Sequence, residues 1–365
     1  MKLLYITNGI TGSGGLERVL SVKASLLVDL YDYEIAIVSL NEENLRPFYS
    51  FNKKIKFYDI AVPHGFYRNL KSYISGLRKV VRDFQPDIIS VCDDGLKGFF
   101  LPKILGTEVP IIYERHVSKE IEMRDNFSFW KKQLIKAKWG IMEKLARDFS
   151  RFVILTKGNS REWPSLKNIK IIPNPLPFYP ESSSSLNNKK VLIVGKQSHQ
   201  KGQDLLIQAW KIVMEKHPDW VLEIVGKVDE SMGLKQQVSK LNLTGQVHFF
   251  EPEKNIEQRY LNTSIYVMSS RYEGFGMVLI EAMVFGVPCI SFNCNYGPAD
   301  IIDHDKNGLL ISNGDVNSLA SAIIELIENP QKRKALGLQA KMDAQKYLPE
   351  KIVKQWDELF QSLTS

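Results

Sequence analysis

The sequence predicts an α/β protein of two successive domains, each a doubly wound parallel sheet with helices on both faces. Three observations support this prediction. The chain has 365 residues, which is more than one hydrophobic core usually organises. Short apolar runs rich in β-branched residues alternate with longer helical patterns, as in βαβ units. This alternation is interrupted once by a segment rich in proline and serine, and then it restarts.

The strand-like runs fall into two groups. Those of the first half are KLLYIT, EIAIVSL, KIKFYDI, DIISVC, VPIIYER and RFVILT, and those of the second half are KKVLIVG, WVLEIVG, VHFF, IYVMSS and PCISF. Helical patterns such as GLERVLSVKASLLVDL and QDLLIQAWKIVMEKH separate them. Two doubly wound sheets are the simplest account of this order.

The segment PNPLPFYPESSSSLNNKK has the composition of a linker. We therefore place an N-terminal domain at residues 1–175 and a C-terminal domain at 176–345. Apolar residues at helical spacing in EKIVKQWDELFQSL predict that residues 346–365 form a helix that docks an apolar face. Packing back onto the N-terminal domain is one option for this helix.

Composition indicates a globular protein of a reducing compartment. Apolar residues are 44% and charged residues 24% of the chain, close to the globular average. The three cysteines lack the spacing of a zinc site or a disulfide framework. We find no signal-peptide pattern at the N-terminus and no apolar stretch long enough to span a membrane. The expected location is the cytoplasm, with the inner face of the plasma membrane as an option.

The net charge of +7 is uneven. Residues 1–180 contain 28 Lys and Arg against 19 Asp and Glu (+9), whereas residues 181–365 contain 20 against 22 (−2). The basic half suits an anionic partner such as a phospholipid surface or a pyrophosphate-bearing acceptor. A basic surface that serves only solubility is the alternative. No nucleic-acid partner is predicted.

Residues 127–151 combine basic and apolar side chains at helical spacing. A basic amphipathic helix with tryptophans can lie in a membrane interface, so peripheral association with an anionic membrane is one interpretation. The favoured alternative is a helix packed on its own sheet with a solvated basic face. The apolar positions are Trp130, Leu134, Ile135, Trp139, Met142 and Leu145.

Two loops after predicted strands could bind anions. Residues 7–15 hold four glycines, among them Gly14 and Gly15, before a helix, where backbone N–H groups and the helix N-terminus favour a phosphate or sugar. A plain tight turn explains this loop equally well. In GKQSHQKGQDLL, Lys196 and Lys201 follow a strand at the edge where open α/β sheets bind ligands, and two cations there suit a diphosphate.

The most specific candidate binding segment is residues 269–292, SSRYEGFGMVLIEAMVFGVPCISF. Glu273 precedes a predicted helix and Glu281 lies within it, so both carboxylates could face one cleft. Gly274 and Gly276 would expose backbone amides at the helix start. Dipole stabilisation could explain an acidic residue near a helix start, but it does not explain Glu281 within an apolar stretch, where an unpaired carboxylate is costly.

These motifs resemble a known enzyme family. GKQSHQKG, EGFGMVLIEA, GVPCISF, YGPADIID and NGLLI, in this order, are similar to the donor-binding half of family 4 retaining glycosyltransferases of the GT-B fold. GGLERV, His116 in IIYERHVS, and IIPNPL fit the same family. The resemblance implies two Rossmann-like domains with a cleft between them, a nucleotide-sugar donor held by the C-terminal domain and an acceptor held by the N-terminal domain.

The resemblance also implies residue roles. Glu273 would contact the transferred sugar and Glu281 the ribose, while Lys196 and Lys201 would hold the diphosphate. The family usually has arginine at the first of these cationic positions, and lysine lacks its bidentate fork. His116 would lie near the donor sugar and acceptor. The catalytic set is therefore Glu273, His116, Lys196 and Lys201, and the donor-binding set adds Gly14, Gly15, Gly274, Phe275, Gly276, Met277, Val278 and Glu281.

The expected reaction is transfer of a hexose or N-acetylhexosamine, with retention of configuration, from a UDP-sugar to a lipid-linked or oligosaccharide acceptor in surface-polysaccharide synthesis. We expect no cofactor and no metal, because the aspartate pairs 93–94 and 303/305 lie in loops where solvated aspartates are ordinary. The alternatives are a non-hydrolysing UDP-sugar epimerase, which needs no acceptor, and a catalytically silent sugar-nucleotide-binding protein.

Overall fold

The computed structural model describes residues 1–43, 45–62, 66–93, 95–123, 127–253 and 255–364. Contacts divide the chain into two compact units. Unit 1 comprises Met1–Pro177 together with Leu348–Ser365, and unit 2 comprises Phe178–Tyr347. The division thus lies within the proline-rich segment, and the C-terminal helix belongs to unit 1.

The described residues form strands and helices in the following order. The strands are β1 (Lys2–Thr7), β2 (Glu34–Leu40), β3 (Lys56–Ile60), β4 (Ile88–Cys92), β5 (Ile111–Glu114), β6 (Arg151–Ile154), β7 (Ile169–Ile171), β8 (Lys190–Val194), β9 (Val221–Val225), β10 (Val247–Phe250), β11 (Ile265–Met268), β12 (Cys289–Asn293) and β13 (Gly308–Ser312). The helices are α1 (Gly15–Tyr31), α2 (Phe66–Phe84), α3 (Leu96–Phe99), α4 (Leu101–Leu105), α5 (Phe129–Ala146), α6 (Gln203–Lys216), α7 (Leu234–Lys240), α8 (Glu257–Leu261), α9 (Met277–Val284), α10 (Pro298–Ile301), α11 (Val316–Glu328), α12 (Pro330–Ala344) and α13 (Pro349–Thr364).

Each unit contains one parallel sheet. The order in unit 1 is β3-β2-β1-β4-β5-β6-β7 and in unit 2 β10-β9-β8-β11-β12-β13. The chain builds each sheet outwards in one direction and then in the other, so the order reverses between β1 and β4 and between β8 and β11. The predicted fold class is confirmed. The edge strands β7 and β13 were not predicted, since β7 is only three residues long and is largely exposed.

The central strands are buried because helices cover both faces of each sheet. In β1 every residue after Lys2 is buried, as expected for a parallel strand with two covered faces. One face of the unit 1 sheet packs against α1 and α13, and the other packs against α2 and α5. The three cysteines, all within the described residues, form no disulfide with one another and are buried. No helix among the described residues combines the length and apolar character that crossing a bilayer requires.

Helix α13 completes the unit 1 core. Its buried positions repeat at helical spacing and face α1. The hydroxyl of Tyr33, which lies just after the end of α1, donates a hydrogen bond of 2.8 Å to Asp357 Oδ1. Trp356 is 3% exposed and packs at a tilt against Phe360. The last helix in the chain is therefore an integral part of the first unit.

Helix α5 differs from the favoured expectation. Met142, Leu145 and Ala146, in its last turns, are buried in the unit 1 core. The first turns extend beyond that core, so that Trp130 is 76% and Leu134 72% exposed. The prediction that the whole apolar face packs on the sheet is therefore wrong for these two residues.

We expect Trp356→Ala to lower the free energy of unfolding by about 3–5 kcal/mol, the usual cost of deleting a buried tryptophan. Urea unfolding followed by circular dichroism measures this change. Lys354→Ala, on the exposed face of the same helix, is the control and should change stability by less than about 0.5 kcal/mol. Equal stability of the two variants would contradict the integral role of α13.

Candidate active site

The strongest candidate site lies in unit 2, where the strand order reverses. Strand β8 leads into residues 195–202, here called the lysine loop, and β11 leads into residues 269–276, here called the glutamate loop. Because β8 and β11 are adjacent and parallel, both loops leave the same edge of the sheet. A reversal of strand order opens a crevice at this edge, which is where open α/β sheets bind ligands.

Several hydrogen bonds join the two loops. Ser269 Oγ donates to Lys201 O at 3.0 Å, and Arg271 N donates to Gln200 O at 2.8 Å. The Arg271 guanidinium forms a bidentate pair with Asp204, at 2.8 and 2.6 Å. Burial opposes ionisation of Asp204, yet the hydrogen bonds and charge of Arg271 lower its pKa below the usual value. The two loops are thus held together without a ligand.

Gly202 permits this close approach. Its φ is 62°, in the left-handed region that favours glycine, and a Cβ there would lie 2.0 Å from the Ser269 carbonyl oxygen. Any larger residue would therefore force the two loops apart. Gln203 supports the lysine loop from within the core, since its side-chain amide is fully buried and bonds Gly195 O and Lys196 O.

Lys201 and Glu273 meet directly in the crevice. Lys201 Nζ lies 2.7 Å from Glu273 Oε1, and Ser270 Oγ donates to the same oxygen at 2.6 Å. Glu273 is only 6% exposed, so these donors compensate for the burial of its charge. Among the described residues nothing donates a hydrogen bond to Glu273 Oε2. The structure therefore brings together two of the predicted catalytic residues and leaves one carboxylate oxygen available.

Glu281 lies within α9 and is fixed by a hydrogen bond from a buried tyrosine. It is 2% exposed, and its Oε2 accepts a hydrogen bond of 2.9 Å from the hydroxyl of Tyr260. Tyr260 is fully buried and stacks on Phe285 at 5.5 Å. The pairing explains how a carboxylate can sit within an apolar stretch.

Both glutamates are near the buried Tyr266. Burial raises the pKa of Tyr266 well above its usual value, and the charges of Glu281 and Glu273 raise it further. The two carboxylates therefore both lie close enough to the Tyr266 hydroxyl to influence its pKa. Lys196 differs from Lys201, because its side chain is exposed and makes no ion pair with any described residue. Lys196 is thus the solvent-exposed lysine of the lysine loop.

The start of α9 offers backbone donors. Gly276 is the N-cap residue with φ 95°, and no side chain of the described residues caps the helix. The first-turn amides, including those of Met277 and Val278, thus lack intrahelical acceptors. The Phe275 ring is buried against Tyr347, so Phe275 can contribute only its backbone groups to a ligand. Gly274 is partly exposed and has no side chain, so it too can contribute only backbone groups.

The glycine loop of unit 1 already binds a side-chain carboxylate through two of its backbone amides. The amides of Ile10 and Thr11 donate to the Glu42 carboxylate at 2.8 and 3.2 Å, so a side-chain anion already occupies them. The Glu17 carboxylate lies beside Gly14. Gly14 and Gly15 are exposed at the uncapped start of α1. Two carboxylates at this loop disfavour a phosphate there, which the sequence pattern alone did not reveal.

His116 follows β5 in unit 1 and contacts a buried ion pair. Its Nε2 lies 3.2 Å from Glu114 Oε2, and Lys23 Nζ lies 2.5 Å from the same oxygen. Burial raises the pKa of Glu114, but the Lys23 charge and the His116 hydrogen bond outweigh burial and lower that pKa to about 2. The local sequence indicates His116 but not its partners, because Lys23 is 91 residues from Glu114.

Candidate metal ligands are already engaged or unsuited to a cation. Ligand atoms of Cys92, Glu114 and His116 lie within 4.8 Å of one another. However, the ammonium of Lys23 occupies the shared carboxylate oxygen, and burial raises the pKa of the Cys92 thiol well above its usual range. Of the predicted aspartate pairs, Asp303 and Asp305 bond Lys306 and Lys332, and Asp94 lies outside the described residues.

The chain resembles known proteins over its full length. A family model described as glycosyl transferases group 1 matches residues 178–343. The amylovoran biosynthesis glycosyltransferase AmsD of Erwinia amylovora is 30% identical, over 98% of this chain and 99% of its own. The lipopolysaccharide 1,6-galactosyltransferase of Escherichia coli K12 is 24% identical, over 90% of this chain and 89% of its own.

Solved structures share the architecture. The Anabaena protein HepE, crystallised with UDP and glucose, superposes with a TM-score of 0.81 at 21% identity, over 99% of this chain and 100% of its own. At this identity the likeness shows the fold, which is GT-B. The 30% identity to AmsD over nearly both complete chains, together with the family model, identifies the protein as a member of the glycosyl transferases group 1 family.

Proposed function

We propose that this glycosyltransferase moves a hexose or N-acetylhexosamine from a UDP-sugar to a lipid-linked or glycan acceptor, with retention of configuration, in surface-polysaccharide synthesis. The observation that carries the proposal is the pairing of Lys201 with Glu273 at the reversal of strand order in unit 2. A cation and a carboxylate with one available oxygen suit a substrate that joins a phosphate to a polyhydroxylated sugar.

The diphosphate of the donor would interact with cations and amides of unit 2. Lys196 is exposed and Lys201 is 20% exposed, and the first-turn amides of α9 lie at the start of an uncapped helix. When the bond between sugar C1 and phosphate oxygen breaks, the electron pair stays on UDP. Ammonium and amide donors would therefore stabilise the transition state more than the ground state. With these donors, the reaction needs no metal ion.

The sugar and the ribose would interact with the two glutamates. Glu273 Oε2 can accept hydrogen bonds from sugar hydroxyls, and Glu281 can accept them from the ribose hydroxyls. Both residues lie in the block whose resemblance to retaining enzymes implies these roles. In the retaining reaction the acceptor hydroxyl attacks C1 from the side on which UDP departs, and its proton passes to the departing phosphate oxygen.

The acceptor class is proposed from relatives and charge. Two relatives are named for amylovoran biosynthesis and for lipopolysaccharide galactosyl transfer, and the solved neighbour HepE binds UDP and glucose. The positive charge of residues 1–180 supports an anionic acceptor, for example one bearing a lipid pyrophosphate. Sugar nucleotides are cytoplasmic substrates in this proposal, so the enzyme would work in the cytoplasm at the inner membrane face.

The start of α5 supports a membrane contact. Phe129, Trp130 and Leu134 are 66%, 76% and 72% exposed, and Ile141 is 49% exposed; these four residues are the α5 patch. Residues 127–142 contain four lysines and no acidic residue. Exposed aromatic and aliphatic side chains among lysines suit the interface of an anionic bilayer. We propose that this patch holds the enzyme at the membrane.

The donor assignment is tested with purified protein and a panel of UDP- and GDP-sugars. A UDP-sugar should raise the melting temperature, because a ligand that binds only the native state stabilises it, and UDP should be released faster when a glycan acceptor is added. Glu273→Gln should lower kcat by at least about 100-fold. Glu230→Gln, a surface carboxylate 67% exposed, is the control.

Other outcomes point to the alternatives. Interconversion of two UDP-sugars without acceptor would replace the proposal by an epimerase. Turnover that is unaffected by Glu273→Gln would exclude a role of this residue in transfer. Absence of turnover with every donor and acceptor, despite stabilisation by a UDP-sugar, would favour a silent binding protein.

The role of Lys196 gives a separate prediction. Lys196→Ala should reduce kcat/KM for the donor by roughly 10- to 100-fold, as expected for loss of a charged hydrogen bond worth about 1.5–3 kcal/mol. Steady-state kinetics at varied donor concentration measure the change. Lys235→Ala, a comparable lysine exposed elsewhere in unit 2, should be neutral. Equal kinetics of both variants would remove Lys196 from the donor site.

The membrane contact is tested by vesicle co-sedimentation. Trp130→Ser with Leu134→Ser should weaken binding to vesicles containing phosphatidylglycerol by at least about tenfold, since two apolar side chains no longer enter the interface. The control variant, Leu338→Ser with Met342→Ser, changes two exposed apolar residues with the same spacing on α12. Equal binding of both variants, or no binding of the unmodified protein, would contradict the proposal.

A further inference from the structure

Unit 1 contains a buried ion pair that the proposed function does not use. Lys23 on α1 and Glu114 at the end of β5 are each 1% exposed. The Lys23 ammonium also lies 3.9 Å from the ring centroid of Trp356 and 4.9 Å from that of Tyr5. Removing two charges from water costs several kcal/mol per ion, and apolar residues at such positions often stabilise a protein equally well. Stability alone therefore does not account for the pair.

The hydrogen bonds of Glu114 point to a role for the pair. Ser90 Oγ donates to Glu114 Oε1 at 2.5 Å. Lys23 and His116 both contact Oε2. With a pKa of about 2, Glu114 is an ionised carboxylate and can only accept hydrogen bonds. The ring nitrogen that faces it, His116 Nε2, must therefore carry a hydrogen.

The other ring nitrogen of His116 has no partner among the residues that the structure describes. Nδ1 is buried and makes no hydrogen bond with any described residue, and leaving a buried polar atom unpaired is unfavourable. When Nε2 carries the hydrogen of a neutral imidazole, Nδ1 presents a lone pair. Such an atom accepts a hydrogen bond from a hydroxyl and offers nothing to a phosphate oxygen.

We propose that Glu114 and Lys23 are positioning residues, which together fix the ring of His116 with hydrogen on Nε2 and with Nδ1 as an acceptor for a substrate hydroxyl. Glu114 sets the tautomer, and Lys23 keeps Glu114 ionised and in place. Trp356 of α13 covers the Lys23 ammonium, so the C-terminal helix contributes to the same arrangement. The identity of the hydroxyl, on donor sugar or acceptor, rests on the proposed transferase function.

Two double variants test this positioning role. Lys23→Met with Glu114→Met removes both charges together, which preserves a buried apolar packing without leaving one charge unpaired. Lys23→Met with Glu114→Gln restores an oxygen that can accept from His116 Nε2. The first variant should fold, with a melting temperature near that of the second, and should lower kcat roughly 10- to 100-fold, as expected for a misplaced group in the site. The second should recover most of this loss. Equal activity of the two folded variants would overturn the proposal.

A spectroscopic measurement makes the test independent of any transferase assay. In the full chain labelled with ¹⁵N-histidine at pH 8, the Nε2–H of His116 should give a signal protected from exchange with water, assigned by its loss in His116→Asn. We expect this signal in the unmodified protein and in the glutamine variant, and its disappearance in the methionine variant. A signal present in all three proteins, or in none, would refute the positioning role even if every sugar nucleotide failed as a donor.

Discussion

A carboxylate can be buried only where hydrogen-bond donors replace the water that it loses, and this constraint shapes both units. Glu273 is satisfied by Lys201 and Ser270, Glu281 by Tyr260, and Glu114 by Lys23, Ser90 and His116. In each case at least one donor comes from a different strand or helix from the carboxylate itself. Each buried carboxylate therefore requires a neighbouring segment to be placed so that its donor is within hydrogen-bonding distance.

The same constraint separates the roles of these acids. Glu273 lies at the carboxyl edge of the sheet with one oxygen available, so a ligand can complete its hydrogen bonding. Glu114 has both oxygens engaged within unit 1. It can therefore act on a substrate only through His116, as a positioning residue.

The order of elements followed from the sequence, because βαβ alternation and apolar periodicity are local properties. The partners of the buried acids did not follow, since they depend on which strands become neighbours. The apolar context of Glu281 showed that it needed a donor, but nothing local indicated Tyr260, 21 residues earlier. Lys196 and Lys201 lie in the same loop, and their local sequence does not distinguish their roles. Only the folded structure shows that Lys201 forms an ion pair and that Lys196 is exposed.

Two segments have features that local sequence could not show. The glycines of residues 7–15 suggested an anion site, and the amides of this loop do bind an anion, but it is the carboxylate of Glu42. Helical periodicity in α5 indicated an apolar face without showing where the core ends, so the burial of Met142 could be expected and the exposure of Trp130 could not.

The distribution of hydrogen-bond donors and acceptors supports different proposed roles for the two units, with unit 2 binding the donor diphosphate and unit 1 binding hydroxyl groups. In unit 2 the crevice presents lysines and unsatisfied helix amides, which favour phosphate oxygens. In unit 1 the segments that follow β2, β1 and β5 present Glu42, Glu17 in the first turn of α1, and the Nδ1 of His116, all of which accept hydrogen bonds. Acceptors repel a phosphate but match hydroxyl groups. The first half of the chain is thus basic overall, but these loops are locally rich in hydrogen-bond acceptors. This local chemistry suits the hydroxyl groups of a sugar, whereas the donors of unit 2 suit a diphosphate.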